Sequence, residues 1–297
     1  MSEKKSNDSW EMLCRRIEQT EHLPVVLFFL VFTIRFGLFF ISDEAGGDAI
    51  ARVAMARNIS DHNMWLFAGV WQPLPFYLIA GALTIYNDPN ISPRFLSLLY
   101  GSFIVFPYYY LVKREFDTLV AVFSLFFLAF YINHIFLSLS SYAESLLIFF
   151  IVSTLYFLFS YLYDTSNRRA LIYASIILAL GCMTRPEAWI LIGTLGAVIV
   201  INGICNKRSM LSNFYDAVLF SIIPMACISI WFIGNYIILG DLFYFQNWSY
   251  DQFKQNYTWF FESWELTLLL VPKTLWLLWS SFWQLGPILS TLITLGV

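Results

Sequence analysis

The sequence predicts an all-α polytopic membrane protein, built as a bundle of transmembrane helices. Of its 297 residues, 59% are hydrophobic and only 12% are charged. A soluble domain of this size could not cover so much apolar surface with so few charges. Apolar runs about as long as a bilayer requires recur along the chain. The net charge of −3 gives no electrostatic basis for a nucleic-acid partner.

Apolar stretches of membrane-spanning length follow one another along the chain. The uninterrupted ones cover residues 24–41, 94–112, 119–137, 143–163, 215–239 and 266–283. A further run, 170–202, contains a proline and two charges in the segment Thr184–Glu187. Because proline ends or kinks a helix, we expect this run to form two short helices that meet near one face. With the apolar segment 285–297, this predicts about eight or nine spans in one membrane domain, 23–297, preceded by a cytoplasmic tail, 1–22.

The segment 73–87 is apolar but short, and the distribution of basic residues decides whether it crosses. If it does not cross, the pairs at 113–114, 168–169 and 207–208 lie on the same side as the basic N-terminus, as the positive-inside rule requires. Residues 42–93 then form one long exoplasmic loop with two membrane-surface helices, 48–60 and 73–87. The N-terminus is cytoplasmic in this topology. A later exoplasmic loop, 240–265, is rich in aromatic residues, which is typical of an interfacial belt and compatible with a lipid-binding groove.

Ionisable residues crowd the start of the first exoplasmic loop, where hydrocarbon makes them costly to hold. Asp48 stands four residues before Arg52, so both share one helix face. Asp48 is either a helix N-cap paired with Arg52 or a general base for an attacking hydroxyl. Asp43 and Glu44 form either a solvated loop or, together with Asp48, a set of oxygen ligands adequate for a divalent metal ion. The scattered histidines and cysteines do not suggest zinc.

Two further acidic residues, Glu144 and Glu187, lie at predicted exoplasmic helix ends. Each stands three residues after a serine or threonine, Ser141 and Thr184, which is the spacing of a capping box. Capping is the favoured interpretation for Glu187 and, by a smaller margin, for Glu144; the alternative for Glu144 is a role as a second catalytic acid.

Three arginines lie within or beside predicted spans: Arg35, Arg94 and Arg185. Each taken alone is expected to extend its charge to water. Taken together, they include a candidate for the cation that a phosphate-bearing ligand needs.

Several short motifs together resemble the first exoplasmic loop and following helices of GT-C glycosyltransferases. In the loop, the pattern comprises Asp48, Ala56, Arg57, Trp71, Pro73, Phe76 and Tyr77. It continues through segments at residues 92–101, 110–116, 137–144 and 184–187, and the resemblance covers roughly residues 24–200. The most similar group is the bacterial and archaeal members related to protein O-mannosyltransferases and lipid A aminoarabinose transferases.

The resemblance implies transfer of a sugar from a polyprenyl-phosphate carrier to a hydroxyl acceptor on the exoplasmic side, with a loop aspartate as general base. Asp48 matches that aspartate by its spacing to Ala56 and Arg57. The family often shows Asp-Glu at this position, and here that pair is Asp43-Glu44, so both positions stay candidates. Glu144 corresponds to a second acidic motif, and Arg185 is the first choice for binding the donor phosphate. The full set expected to contact substrates is Arg52, Arg57, Trp71, Arg94, Arg185 and Glu187.

The implied partners are a polyprenyl-phosphate sugar donor, membrane lipids and an acceptor that the sequence does not identify. The principal alternative is a transporter, or a lipid-binding or non-catalytic membrane protein, that uses the same charges. Transporters tend to carry internal repeats with interrupted helices in corresponding halves. The sequence has one such interruption and no repeat, which favours the enzyme.

Overall fold

The computed structural model describes residues 22–42, 46–62, 68–248 and 251. The chain divides into two compact units, 1–243 and 244–297. The first unit contains the helices α1 (Leu23–Phe39), α2 (Gly47–His62), α3 (Leu74–Ile85), α4 (Ile91–Phe103), α5 (Val105–Glu115), α6 (Thr118–Phe130), α7 (Ile132–Leu139), α8 (Ala143–Tyr163), α9 (Arg168–Cys182), α10 (Trp189–Cys205) and α11 (Met210–Leu239). Of the second unit, only residues 244–248 and 251 are described.

The predicted all-α fold class is confirmed, since the described residues form helices and no strand. By length and composition, four helical segments could cross a membrane: Ile91–Glu115, Ala143–Tyr163, Pro186–Cys205 and Met210–Leu239. The pair α6 and α7 adds a fifth if its 62° bend lies within one span. Each predicted run before residue 240 coincides with a helix or a helix pair. The predicted runs 266–283 and 285–297 and most of the aromatic loop 240–265 lie outside the described residues, so the total of eight or nine spans stays a prediction.

The two predicted surface helices are present as α2 and α3. They pack against each other around a small apolar core formed by Ala56, Ile59, Phe76, Ile79, Ala80 and Leu83. With 12 residues, α3 is about 18 Å long, shorter than the hydrocarbon thickness of a bilayer. This length fits the non-crossing interpretation, while the side of the membrane on which the pair lies stays a prediction.

The largest apolar core joins α8, α9, α10 and α11, centred on Leu158, Leu171, Leu178 and Phe220. As predicted, the run 170–202 forms two helices, α9 and α10, separated by a short 3₁₀ turn at Pro186–Ala188. Glu187 lies in this turn and Arg185 lies directly before it, so both are at the same end of the bundle.

Two arginines predicted to extend to water are instead buried. Arg35 is fully buried within α1, where it donates to the Gly101 carbonyl and contacts Nδ1 of His134 at 2.8 Å. Arg94, at the start of α4, donates to the carbonyls of Phe39, Ser42 and Leu139. The expectation was wrong because both guanidiniums reach backbone carbonyls that the helix ends and the packing of α1, α4 and α7 leave available.

Candidate functional site

Three chain segments converge at one end of the bundle: the start of α2, the start of α8 and the turn between α9 and α10. A β-carbon on Gly46 would collide with the hydroxyl of Tyr142, so the chain before α2 lies directly against the chain before α8. The amide of Leu74 donates to the carbonyl of Met183 at 3.0 Å, which holds the start of α3 against the α9–α10 turn. The two surface helices are therefore fixed to the bundle at this point.

These segments bring five of the predicted site residues into one ion-pair network. Arg52 Nη2 lies 4.0 Å from Asp48 Oδ2, and Arg52 Nη1 lies 3.9 Å from Glu144 Oε2. Arg185 donates to the other oxygen of Glu144 and, at 2.7 and 3.0 Å, to both oxygens of Glu187. The order of charges is Asp48, Arg52, Glu144, Arg185, Glu187. Glu144 is thus shared between two arginines.

Arg52 occupies the least usual environment in the network. Its side chain is only 4% exposed, and its guanidinium lies over the ring of Trp71, 5.3 Å from the centroid. Both carboxylate distances exceed hydrogen-bonding range, and neither Nη1 nor Glu144 Oε2 has a hydrogen-bond partner among the described residues. Burial lowers the pKa of Arg52, and Glu144 opposes that shift. A buried cation with an unused donor is costly unless a ligand completes it.

Arg185 is by contrast held by short hydrogen bonds. Its hydrogen bonds to Glu187 raise its pKa, so it remains charged. Because Glu187 occupies Nε and Nη2 and Glu144 occupies Nη1, most of its donors are engaged within the protein. Sequence reasoning placed Arg185 first as a phosphate ligand, whereas the geometry leaves Arg52 with more capacity to donate.

The network has a centre that is buried at Arg52 and partly buried at Glu144 and Arg185, and its ends are exposed. Arg52, Glu144 and Arg185 together carry a net charge of +1. The flanking carboxylates of Asp48 and Glu187 are 61% and 55% exposed, so water screens them. The centre of the site is consequently suited to an anion, and Asp48 presents its carboxylate to whatever binds beside it.

Neither predicted capping box is formed. α8 begins at Ala143 with Tyr142 as its N-cap and no side-chain cap, so Glu144 is free to bridge the arginines. The hydroxyl of Thr184 donates to the carbonyl of Leu180, and the following 3₁₀ turn has no side-chain cap. The prediction was wrong because charged partners replace the capping contacts: Arg185 binds both carboxylates, and Arg52 lies beside Glu144. Asp48 is the second residue of α2, inside its first turn.

The other predicted residues lie apart from the network or outside the described chain. Arg57 pairs with Asp61 at 3.7 Å on the exposed side of α2. Arg94 is bonded to the backbone carbonyls given above. Asp43 and Glu44 lie outside the described residues, so the predicted metal site that includes them cannot be placed; among the residues that are described, no three metal-binding side chains cluster.

Two residues at the site were missed by sequence reasoning. Gln72 follows Trp71, is buried, and has no hydrogen-bond partner for Nε2 within the described structure. Its place in the loop motif could have revealed it. Asn235, buried in α11, accepts a 2.6 Å hydrogen bond from the amide of Gly69 and so fixes the loop that precedes Trp71. Nothing in the local sequence around Asn235 indicates this contact.

The opposite face of α2 borders a cavity of about 350 Å³. Its lining is largely apolar, with Arg57, Arg94, Asn90 and Ser141 as the polar members. The helix α2 therefore separates the ion network from an apolar recess.

Comparison with known proteins identifies one relationship. The sequence model of the family described as dolichyl-phosphate-mannose-protein mannosyltransferase matches residues 51–231, more than half of the chain. The matched range includes Arg52, Trp71, Glu144, Arg185 and Glu187, and Asp48 lies just before it. No curated protein and no solved structure matches the chain.

Proposed function

Because the chain belongs to the dolichyl-phosphate-mannose-protein mannosyltransferase family, and is thus a membrane glycosyltransferase that uses a lipid-linked sugar, we propose that the ion network at Arg52 is its active site. The reaction is transfer of the sugar from a polyprenyl phosphate to an acceptor hydroxyl on the exoplasmic face. The observation that carries the proposal is the buried Arg52 beside the exposed carboxylate of Asp48: its Nη1 has no hydrogen-bond partner in the part of the chain that the structure describes.

Asp48 acts as the general base. Its carboxylate accepts the proton of the acceptor hydroxyl while the hydroxyl oxygen forms a bond to the anomeric carbon. The bond from that carbon to the donor phosphate oxygen breaks, and the polyprenyl phosphate leaves with one additional negative charge. Direct displacement of this kind inverts the anomeric centre. Because Asp48 is exposed, an acceptor hydroxyl can reach its carboxylate.

Arg52 binds the donor phosphate and stabilises the charge that develops on it. Its Nη1 can bind a phosphate oxygen without breaking a hydrogen bond to any of the described residues. Trp71 supports the guanidinium from one side through a cation–π contact. A cation held in place before the reaction lowers the barrier because it needs no reorganisation as charge develops.

Glu144 and Glu187 hold the two arginines. Glu144 lies between Arg52 and Arg185, and its negative charge reduces their mutual repulsion. Glu187 fixes the orientation of Arg185 through two hydrogen bonds. Arg185 then contributes its charge to the phosphate site at longer range than Arg52.

The proposal is tested with purified protein in nanodiscs, dolichyl-phosphate mannose carrying a radiolabelled sugar, and serine- and threonine-containing peptides as acceptors. We expect Asp48→Asn to reduce transfer by at least about 100-fold, the range of general-base catalysis. Asp61→Asn is the matched control, because Asp61 is exposed on the same helix and pairs with an arginine four residues away. It should retain the parent rate.

Full transfer by Asp48→Asn would show that Asp48 is not the general base. If the parent transfers no sugar, mass spectrometry of lipids retained by the gently solubilised protein provides the second measurement. Recovery of a polyprenyl phosphate with another sugar supports the reaction and identifies the donor. Recovery of no sugar-bearing polyprenyl phosphate would overturn the proposed function.

A further inference from the structure

A second polar cluster lies at the opposite end of the bundle from the Arg52 network. Glu144 is in the first turn of α8, whereas this cluster surrounds its last turn, at Tyr161 and Tyr163. The 21 residues of α8 span about 30 Å, roughly the hydrocarbon thickness of a bilayer. The two clusters are therefore placed to face the two surfaces of one membrane.

A buried carboxylate organises the cluster. Asp216 of α11 is fully buried and accepts hydrogen bonds from Tyr161 at 2.6 Å and from Arg208 at 2.8 Å. Arg168 pairs with its other oxygen at 3.3 Å. Two guanidiniums thus share one carboxylate, which leaves a charge of +1. The hydrogen bond to Tyr161 raises the pKa of Arg208, so that side chain stays a cation.

A cavity of about 620 Å³ adjoins Arg208. The residues that line it are Phe159, Leu162, Tyr163, Thr165, Asn202, Asn206 and Arg208. Among the described residues, Arg208 donates to Tyr161, Asp216 and Ser212, which is three of its five N–H donors, as for Arg185. It differs from Arg185 because it lines a cavity into which its other donors can bond a ligand. Asn206 lines the cavity and uses its side-chain nitrogen on Asn202, so its carboxamide oxygen is the group that can accept from a ligand. The lining thus combines an anchored cation with carboxamides and apolar walls.

Charge at this end favours an anion. The helix ends and turns that meet here carry six basic residues, Lys113, Arg114, Arg168, Arg169, Lys207 and Arg208, against four acidic ones, Glu115, Asp117, Asp164 and Asp216. Six positive and four negative charges leave a net charge of +2 at this end.

Lys207 occupies a backbone position that normally belongs to glycine. After α10 ends, the amide of Lys207 donates to Ile204 and that of Arg208 donates to Gly203, the pattern of a Schellman motif. Lys207 has φ 55°, in the left-handed region that residues with a β-carbon rarely adopt. Lysine at this position adds an exposed cation directly before Arg208 in the chain, and Arg208 lines the cavity. A glycine would fit the turn better and would lack that charge.

We infer that this cavity binds the phosphate group of an anionic phospholipid headgroup. Arg208 and Lys207 hold the phosphate, the carboxamides of Asn202 and Asn206 contact the polar headgroup, and the apolar walls of Phe159 and Leu162 face the start of the acyl chains. Basic pockets between transmembrane helices bind anionic headgroups by this chemistry. The site is independent of the sugar-transfer site, because it lies at the other end of α8.

The test uses the whole protein in phosphatidylcholine nanodiscs with and without phosphatidylglycerol, followed by native mass spectrometry of the lipids that remain bound.

Lys207→Gly removes the charge and suits the turn, so it should fold at least as well as the parent. Asn206→Leu changes the headgroup contact without changing charge. Lys113→Gln is the control, because it removes a positive charge at the same end but outside the cavity. We expect Lys207→Gly to retain about fivefold less phosphatidylglycerol, the equivalent of about 1 kcal/mol for one basic residue. Asn206→Leu should also retain less than the parent, and the control should match the parent.

Equal losses in all three variants would show diffuse surface attraction and overturn the site, as would parent-level retention in Lys207→Gly and Asn206→Leu. A parallel titration with inorganic phosphate distinguishes the source of the phosphate group. Failure of free phosphate to displace phosphatidylglycerol is the expected result. Displacement that depends on Lys207 would assign the cavity to a soluble phosphate and reject the lipid as its ligand.

Discussion

Nη1 of Arg52 and Oε2 of Glu144 face each other at 3.9 Å, and neither atom has a hydrogen-bond partner among the described residues. The same carboxylate bonds directly to Arg185 through its other oxygen. Glu144 therefore accepts a hydrogen bond from Arg185, whereas its interaction with Arg52 is electrostatic only. This asymmetry leaves Arg52 as the cation that a phosphate can bind without displacing a hydrogen bond within the protein.

We predict that Arg52→Gln weakens binding of dolichyl-phosphate mannose by about 10- to 100-fold, since a hydrogen bond to a charged group contributes about 1.5–3 kcal/mol. The carboxylate contacts of Arg52 are longer than hydrogen bonds, so the thermal midpoint in detergent should change little. Donor affinity is measured by competition with a fluorescent polyprenyl phosphate. Arg57→Gln on the exposed side of the same helix is the matched control. If Arg185→Gln reduces affinity and Arg52→Gln does not, the phosphate contact belongs to Arg185.

Glu144→Gln is expected to destabilise the protein, because the buried guanidinium of Arg52 and the partly buried one of Arg185 would lose the charge between them. We predict a loss of about 1–3 kcal/mol in the free energy of unfolding. Glu187→Gln, at the exposed end of the network, should cost no more than about 1 kcal/mol. Reversible unfolding in mixed micelles measures both. Equal costs for the two substitutions would mean that Glu144 is not the bridging residue.

The helices could be predicted from the length of their apolar runs, but a bend that tertiary packing imposes could not. The run 119–137 was expected to be one span, yet it bends by 62° between α6 and α7. Tyr131 at the bend is extended, with ψ 107°, and neither proline nor glycine marks the position. Because the preference of a tyrosine for helix is weak, its neighbours in the fold decide its conformation.

The site was predicted as a set of residues but not as a set of contacts. Asp48 and Arg52 were identified because ionisable groups at the end of an apolar bundle are costly and because the two share one helix face. Glu144 and Arg185 were identified through the resemblance to GT-C glycosyltransferases. The pairing of Glu144 with Arg52 and Arg185 joins positions that are far apart in the chain, and no local pattern reveals it. Arg94 shows the converse: its sequence context resembles that of a binding residue, while its guanidinium is engaged by three backbone carbonyls.

We predict that Asn235→Ala raises the KM for the lipid-linked donor with little change in kcat. Asn235 holds the amide of Gly69, and this loop positions Trp71 against Arg52. Gly69 has φ 133°, where a β-carbon is strained. Gly69→Ala should consequently produce a similar defect by acting on the same hydrogen bond.

The double substitution separates a positioning role from general destabilisation. Since both residues act through one bond, the effects of Asn235→Ala and Gly69→Ala on KM should not add. Additive effects on KM, or a fall in kcat alone, would contradict the positioning role of Asn235.

Gly101 is predicted to be required by the close approach of α4 to α7 and α8, whereas Gly81 is not required by packing. A β-carbon at Gly101 would lie 2.7 Å from Cβ of Ser138 and 3.1 Å from Oγ of Ser145, while at Gly81 it would meet nothing within 4 Å. The Gly101 carbonyl also accepts from the buried Arg35, so a displaced backbone would weaken that contact.

Gly101→Ala should therefore lower the free energy of unfolding by about 1–3 kcal/mol. Gly81→Ala should raise it by about 0.5–1 kcal/mol, because alanine loses less backbone entropy in a helix. Unfolding in mixed micelles would measure opposite signs for these two identical substitutions; the same sign at both positions would show that helix propensity, and not the contact with Ser138, determines the effect.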